Sequence, residues 1–156
     1  MSGSDLAAAQ FLAPRLEGRP AMALLCVPPA TVTAVLPAVA DMLRSATART
    51  RLGSFADIER SLVDGRALLW LAWDGSQIAA VAATELQPCD GGLVCTITAC
   101  GGRNASEWLP LLDGIEAYAK GEGCRAVRFF GRTGWLRKLP RYQQVGIVAE
   151  MPVDGR

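Results

Sequence analysis

A chain of 156 residues favours one domain, and 51% apolar against 20% charged residues gives it a core rather than the composition of a disordered tail. A net charge of +1, from 16 basic and 15 acidic residues, supplies no global field for nucleic acid or an anionic membrane. Histidine is absent, which removes Ser-His-Asp and Cys-His nucleophilic pairs and histidine-based zinc sites.

The arm at residues 1–21 is rich in Ala, Gly, Pro and Ser and continues no later pattern; it reads as a flexible arm or a vector-derived leader. Residues 22–156 read as a single domain. Residues 22–27 are a short apolar run, expected as an edge strand that Pro28-Pro29 ends. A helix is expected from about Thr31 or Thr33 to Arg44. Its stripe is Val32, Val35, Leu36, Val39, Met42 and Leu43, with Pro37 marking a kink or a later start. Ser54 with Asp57 reads as a capped helix start, and the helix that follows carries Phe55, Ile58, Leu62 and Val63 before Gly65 stops it. Three strands come next: 66–73, 77–86 after the Asp74-Gly75 turn, and 92–99 after a turn at 87–92. Asn104 to Glu107 reads as a second capping box. Trp108, Leu111, Leu112, Ile115, Tyr118 and Ala119 then recur at helical spacing. A strand at 124–130, a turn with a short helix at 131–141 and a last strand at 145–153 complete the chain. Three strands in succession exclude a simple Rossmann repeat. The helical crossover after the third strand predicts a parallel pair, hence an α/β (α+β) mixed sheet with helices on both faces.

Cys26, Cys89, Cys95, Cys100 and Cys124 are odd in number and form no CxxC, so they read as free thiols in a reducing compartment, with no metal expected. No run reaches the length of a membrane span. Asp5 stands where a signal peptide would carry basic residues, so a cytoplasmic protein is expected, without membrane or nucleic-acid partners. The stretch TACGGRNASEW, residues 98–108, joins an apolar strand to a helix start. Unpaired N–H groups and the helix dipole favour an anion there, and Gly101, Gly102 and Arg103 add close approach and charge. Two readings stand: a phosphate cradle, or a tight turn into a helix. Glu85, near a strand end, is either a carboxylate that can take a proton from an amine or a solvated charge. Arg132, Arg137, Lys138 and Arg141 form a basic cluster, either an anion site or a solvated face.

The element order and the texts ALLWLAWDG, VCTITACGG, IEAYAKGEGC and VRFFGRTGWLRKLPRY resemble the Gcn5-related N-acetyltransferase (GNAT) superfamily over residues 22–153. Within it, they resemble short acetyltransferase-like proteins of bacteriophages and prophages. The resemblance implies a GNAT-like mixed central β-sheet with helices on both faces and a central parallel strand pair. It also implies acetyl-CoA where those strands part. Carried onto this chain, the cofactor-binding set is Thr98, Cys100, Gly101, Gly102, Arg103, Asn104, Ala105 and Ser106, with Arg132 for the 3′-phosphate. The chain departs from the family: Ser106 and Trp108 stand at the two small-residue positions of the loop. Leu136 stands where many relatives have a tyrosine acid, which leaves Tyr142 and Glu85 as catalytic candidates. The implied function is acetyl-CoA-dependent transfer to an unidentified amine. The alternative is a non-catalytic phage or prophage binding protein with a protein partner, or a virion component. An open cleft between the parallel strands favours the enzyme; a cleft filled by Trp108 or the N-terminal arm favours the binding protein.

Overall fold

The computed structural model describes residues 10–11, 22–103 and 105–154, with side chains undescribed at 10, 11, 105–108 and 110. The elements in order are β1 (Gln10–Phe11), β2 (Ala23–Val27), α1 (Val32–Thr50), α2 (Phe55–Val63), β3 (Ala67–Trp73), β4 (Ile78–Cys89), β5 (Gly92–Gly102), α3 (Ala105–Gly121), β6 (Ala126–Phe129) and α4 (Trp135–Lys138). The strands form one sheet in the order β1 to β6. Neighbours from β1 to β5 are antiparallel, whereas β5 and β6 are parallel, from Val94 opposite Ala126 to Ile97 opposite Phe129. The expected meander and parallel crossover are both present. The expected edge strand at 22–27 is flanked instead, because Gln10 and Phe11 pair with Cys26 and Leu25.

Period-2 alternation divides the core between the two sheet faces. Leu25, Val27, Leu69, Leu71, Val81 and Ala83 meet α1 and α2 through Val35, Val39, Leu43 and Leu62. Leu24, Cys26, Trp70, Ala80, Ala82 and Cys95 meet α3 through Leu111, Leu112, Ile115 and Ala119. Trp70 is fully buried, donates its indole N–H to Thr84 Oγ1 at 2.8 Å and meets Tyr118 edge-on at 5.3 Å. That hydrogen bond lets a polar nitrogen sit in the apolar layer without loss.

α1 runs through Pro37 and on to Thr50, past its expected end at Arg44. Pro37 and Thr33 are both on the exposed side, so water can reach the carbonyl deprived of its partner. The helix stops where Arg51 turns left-handed at φ 56° and donates its N–H to Thr47 O. α2 starts as expected, with Ser54 Oγ accepting from the Asp57 N–H, but Val63 points outward and Ser61 takes the inner place. The last expected strand, 145–153, is absent. Those residues form no strand ladder, and Val145, Ile147, Met151 and Val153 are exposed. Alternating apolar residues favour a strand only where a neighbour supplies the ladder, and among the described residues β6 pairs with β5 alone.

Candidate active site

β5 carries the decisive irregularity. Ala83 pairs with Ala99 and Thr84 with Ile97, so Thr98 is a bulge residue; its Oγ1 donates to Ala83 O at 3.2 Å. A bulge bends the strand and adds twist. The β5–β6 pairing ends at Ile97 and Phe129, immediately before it. Beyond that point the strands part around a cavity of about 350 Å³.

Both sheet faces contribute walls. Ala46, Arg49, Thr50 and Leu52 close the side of α1 and its following loop. Ile97, Thr98, Ala99 and Cys100 line it from β5, and Phe129, Phe130, Gly131 and Arg132 from β6 and the turn beyond. Leu112, Trp135 and Leu139 close the side of α3 and α4. The cavity therefore passes between the strands from one layer of the molecule to the other. Among these wall residues the charged ones are Arg49 and Arg132.

The structure brings Thr98, Cys100 and Arg132 of the expected set together. Burial pushes the Cys100 thiol up to about 12, against a smaller downward pull from Arg49, so at neutral pH it is a protonated wall group and not a nucleophile. Gly101 and Gly102 are not a turn: β5 continues through them, opposite Val81 and Ala80. Gly101 serves packing. A Cβ there would lie 3.1 Å from Met42 O and 3.4 Å from Ala46 Cβ, so the missing side chain lets α1 close on the strand. Arg103 extends the ladder by donating its N–H to Ala79 O, and its guanidinium reaches Asp74 at 3.2 Å. Asn104 lies outside the described residues. Ala105 and Ser106 are the first helical positions of α3, and the side chains of both and of Trp108 are outside the description.

Glu85 and Tyr142 are not among the cavity walls. Glu85 stands in β4 opposite Ala67 and Thr96. Tyr142 donates its hydroxyl to Glu116 at 3.3 Å and lies tilted against Phe129 at 5.5 Å. Burial first, then the Glu116 carboxylate, raise its pKa above the ordinary tyrosine value. Arg141 joins the same carboxylate at 2.6 Å and Asp113 at 3.2 Å. Tyr142 and Arg141 thus tie the chain after α4 to α3. Sequence reading missed Arg49. Its signal was faint, since the expected helix ended before it and only the folded crossing of α1 over Gly101 brings it to the cavity.

No family model matches the chain, and no curated protein sequence does. Solved structures match over most of its length. A probable acetyltransferase superposes with TM-score 0.62 at 10% identity, covering 83% of this chain and 97% of that one. A predicted acetyltransferase with acetyl-CoA from Clostridium acetobutylicum gives 0.59 at 14% identity, with 86% and 98% covered. An aminoglycoside acetyltransferase from an uncultured soil metagenomic sample, in complex with sisomicin, gives 0.56 at 7% identity, with 83% and 95% covered. The likeness is one of fold: the chain has the GNAT acetyltransferase fold.

Proposed function

We propose that the protein transfers an acetyl group from acetyl-CoA to an amine. The observation that carries this reading is the parallel pair that stops at Ile97 and Phe129 and opens on a cavity walled from both sheet faces. A pantetheine arm is a slender chain with two amides. It suits a largely apolar slot beside a strand whose backbone groups have lost their ladder on that side. In this reading Thr98 and Cys100 flank the arm, and the phosphates meet the start of α3, where β5 leads into it, and Arg132. Acetyl-CoA supplies an acyl group already activated as a thioester. The chain's own work is to align the amine, exclude water and polarise the carbonyl through backbone N–H groups. Glu85 and Tyr142 have no direct contact with the reacting groups in this arrangement. The cavity between the strands favours the enzyme; the Trp108 side chain and most of the N-terminal arm, which would fill it in the binding role, lie outside the described residues.

Calorimetry with acetyl-CoA tests the reading, with saturable heat expected. Arg132→Ala should weaken binding by roughly fivefold to a hundredfold, the range for one charge-assisted contact. Arg103→Ala, made in parallel, measures what the arginine tied to Asp74 contributes. A parent protein that gives no heat, and no signal in a second binding assay, removes the reading.

A further inference from the structure

We infer that the acceptor is an amine bearing a carboxylate, as an amino acid or peptide terminus does, and that Arg49 holds that carboxylate. The inference rests on the acetyl-transfer reading and adds a substrate class to it. Five arginines of the described chain, Arg44, Arg60, Arg66, Arg103 and Arg141, pair with carboxylates. Arg49 and Arg132, the two at the cavity, have no carboxylate within 4.0 Å among the described residues. No Asp or Glu stands among the described walls. A cavity with guanidinium groups and no acid attracts an anion and repels a polycation.

The two arginines belong to different layers. Arg132 lies in the turn that opens α4, whose Trp135 packs with the α3 layer. The start of α3, an end at which a helix leaves its first N–H groups without intrahelical partners, is in that same layer. Arg49 belongs to α1, on the opposite sheet face. Its Nε donates to Ser45 O at 3.2 Å, which fixes the stem and leaves the terminal nitrogens free to fork. Its Nη2 lies 3.5 Å from where a Gly101 side chain would begin, so the glycine admits the guanidinium to the strand edge. A donor that entered from the α3 side would have its phosphates met there, which leaves Arg49 to the acceptor. In the transfer the amine nitrogen bonds the acyl carbon as the carbon–sulfur bond breaks. Of the two protons the ammonium gives up, one ends on the CoA thiol and one in solvent.

The test measures affinities of α-amino acids and dipeptides, each against its C-terminal amide, and of spermidine, for the protein saturated with CoA. NMR shift titration reads binding whether or not turnover occurs. At least one carboxylate should bind tenfold or more tightly than its amide, and Arg49→Gln should erase that difference while the calorimetric Kd of acetyl-CoA stays within twofold. Arg51→Gln, just beyond the helix, controls for lost charge. The inference is overturned if no carboxylate outbinds its amide, if spermidine binds best, or if Arg49→Gln weakens acetyl-CoA instead. A protein that binds no acetyl-CoA fails in the separate calorimetry, which marks loss of the transfer reading rather than of the carboxylate preference.

Discussion

Asp74 organises more of this chain than its place in a surface turn suggests. Its Oδ1 accepts the N–H groups of Ser76 and Gln77, each at 2.8 Å, and the Ser76 hydroxyl at 3.0 Å. Its Oδ2 holds Arg103. These backbone donors, foremost that of Gln77, pull its pKa down from 3.8 to about 2. A carboxylate stabilised in the folded state contributes fully above its unfolded pKa, and that contribution is lost as pH falls through the folded one. Asp74→Asn should therefore lower the melting temperature at pH 7, and the gap between parent and variant should narrow from pH 5 down to pH 2. Thermal scans across that range read it; a gap independent of pH would show that the turn does not depend on the charge. The turn was legible in the Asp-Gly pair. The link to Arg103 was not, because it spans the sheet's end and requires β5 to run on through Gly102.

At the scale of elements, the faces of α1 and α3 follow from spacing alone, since an apolar stripe has one sheet to cover. The sequence pattern did not disclose how closely α3 approaches β2. Gly114 faces Leu24 so tightly that a Cβ would lie 1.7 Å from Leu24 Cδ2 and 3.2 Å from its Cγ. Leu24 is 3% exposed and has little room to turn aside. Gly114→Ala would gain about 1 kcal/mol of helix propensity but cost about 1 to 3 kcal/mol in overpacking, and burial this complete favours the upper end. A net loss of about 1 to 2 kcal/mol is expected, read as a lower urea midpoint at unchanged slope. Adding Leu24→Ala should cost less in the Gly114→Ala background than in the parent, because neighbours in contact are not additive. A stabilised Gly114→Ala protein would show that Leu24 yields at little cost.

For the whole molecule, what was legible were the features set by local periodicity: the meander, the crossover helix and the parallel pair. Two features turned on partners that sequence does not name. Gly101-Gly102 resembled a loop because glycines punctuate turns, yet in the fold they give α1 room against a continuing strand. Val145, Ile147, Met151 and Val153 alternate as a half-buried strand does, yet no neighbour among the described residues pairs with them, and their exposures run from 73% to 89%. Among the described residues the core does not draw on them: the sheet faces are covered by α1 and α2 on one side and by α3 with Trp135 and Leu139 on the other. The chain is fastened ahead of this segment, where Arg141 and Tyr142 engage Glu116. Ending the protein after Gln144 should therefore leave the melting temperature within about 2 °C, since for a chain of this size a loss of about 1 kcal/mol moves it by roughly 2 to 4 °C. The same truncation should reduce self-association at high concentration, because it removes an exposed apolar row. Calorimetric melting and light scattering on the two proteins measure both effects. A fall of many degrees would mean that residues 145–153 pair with the sheet in solution and that β6 is not its edge.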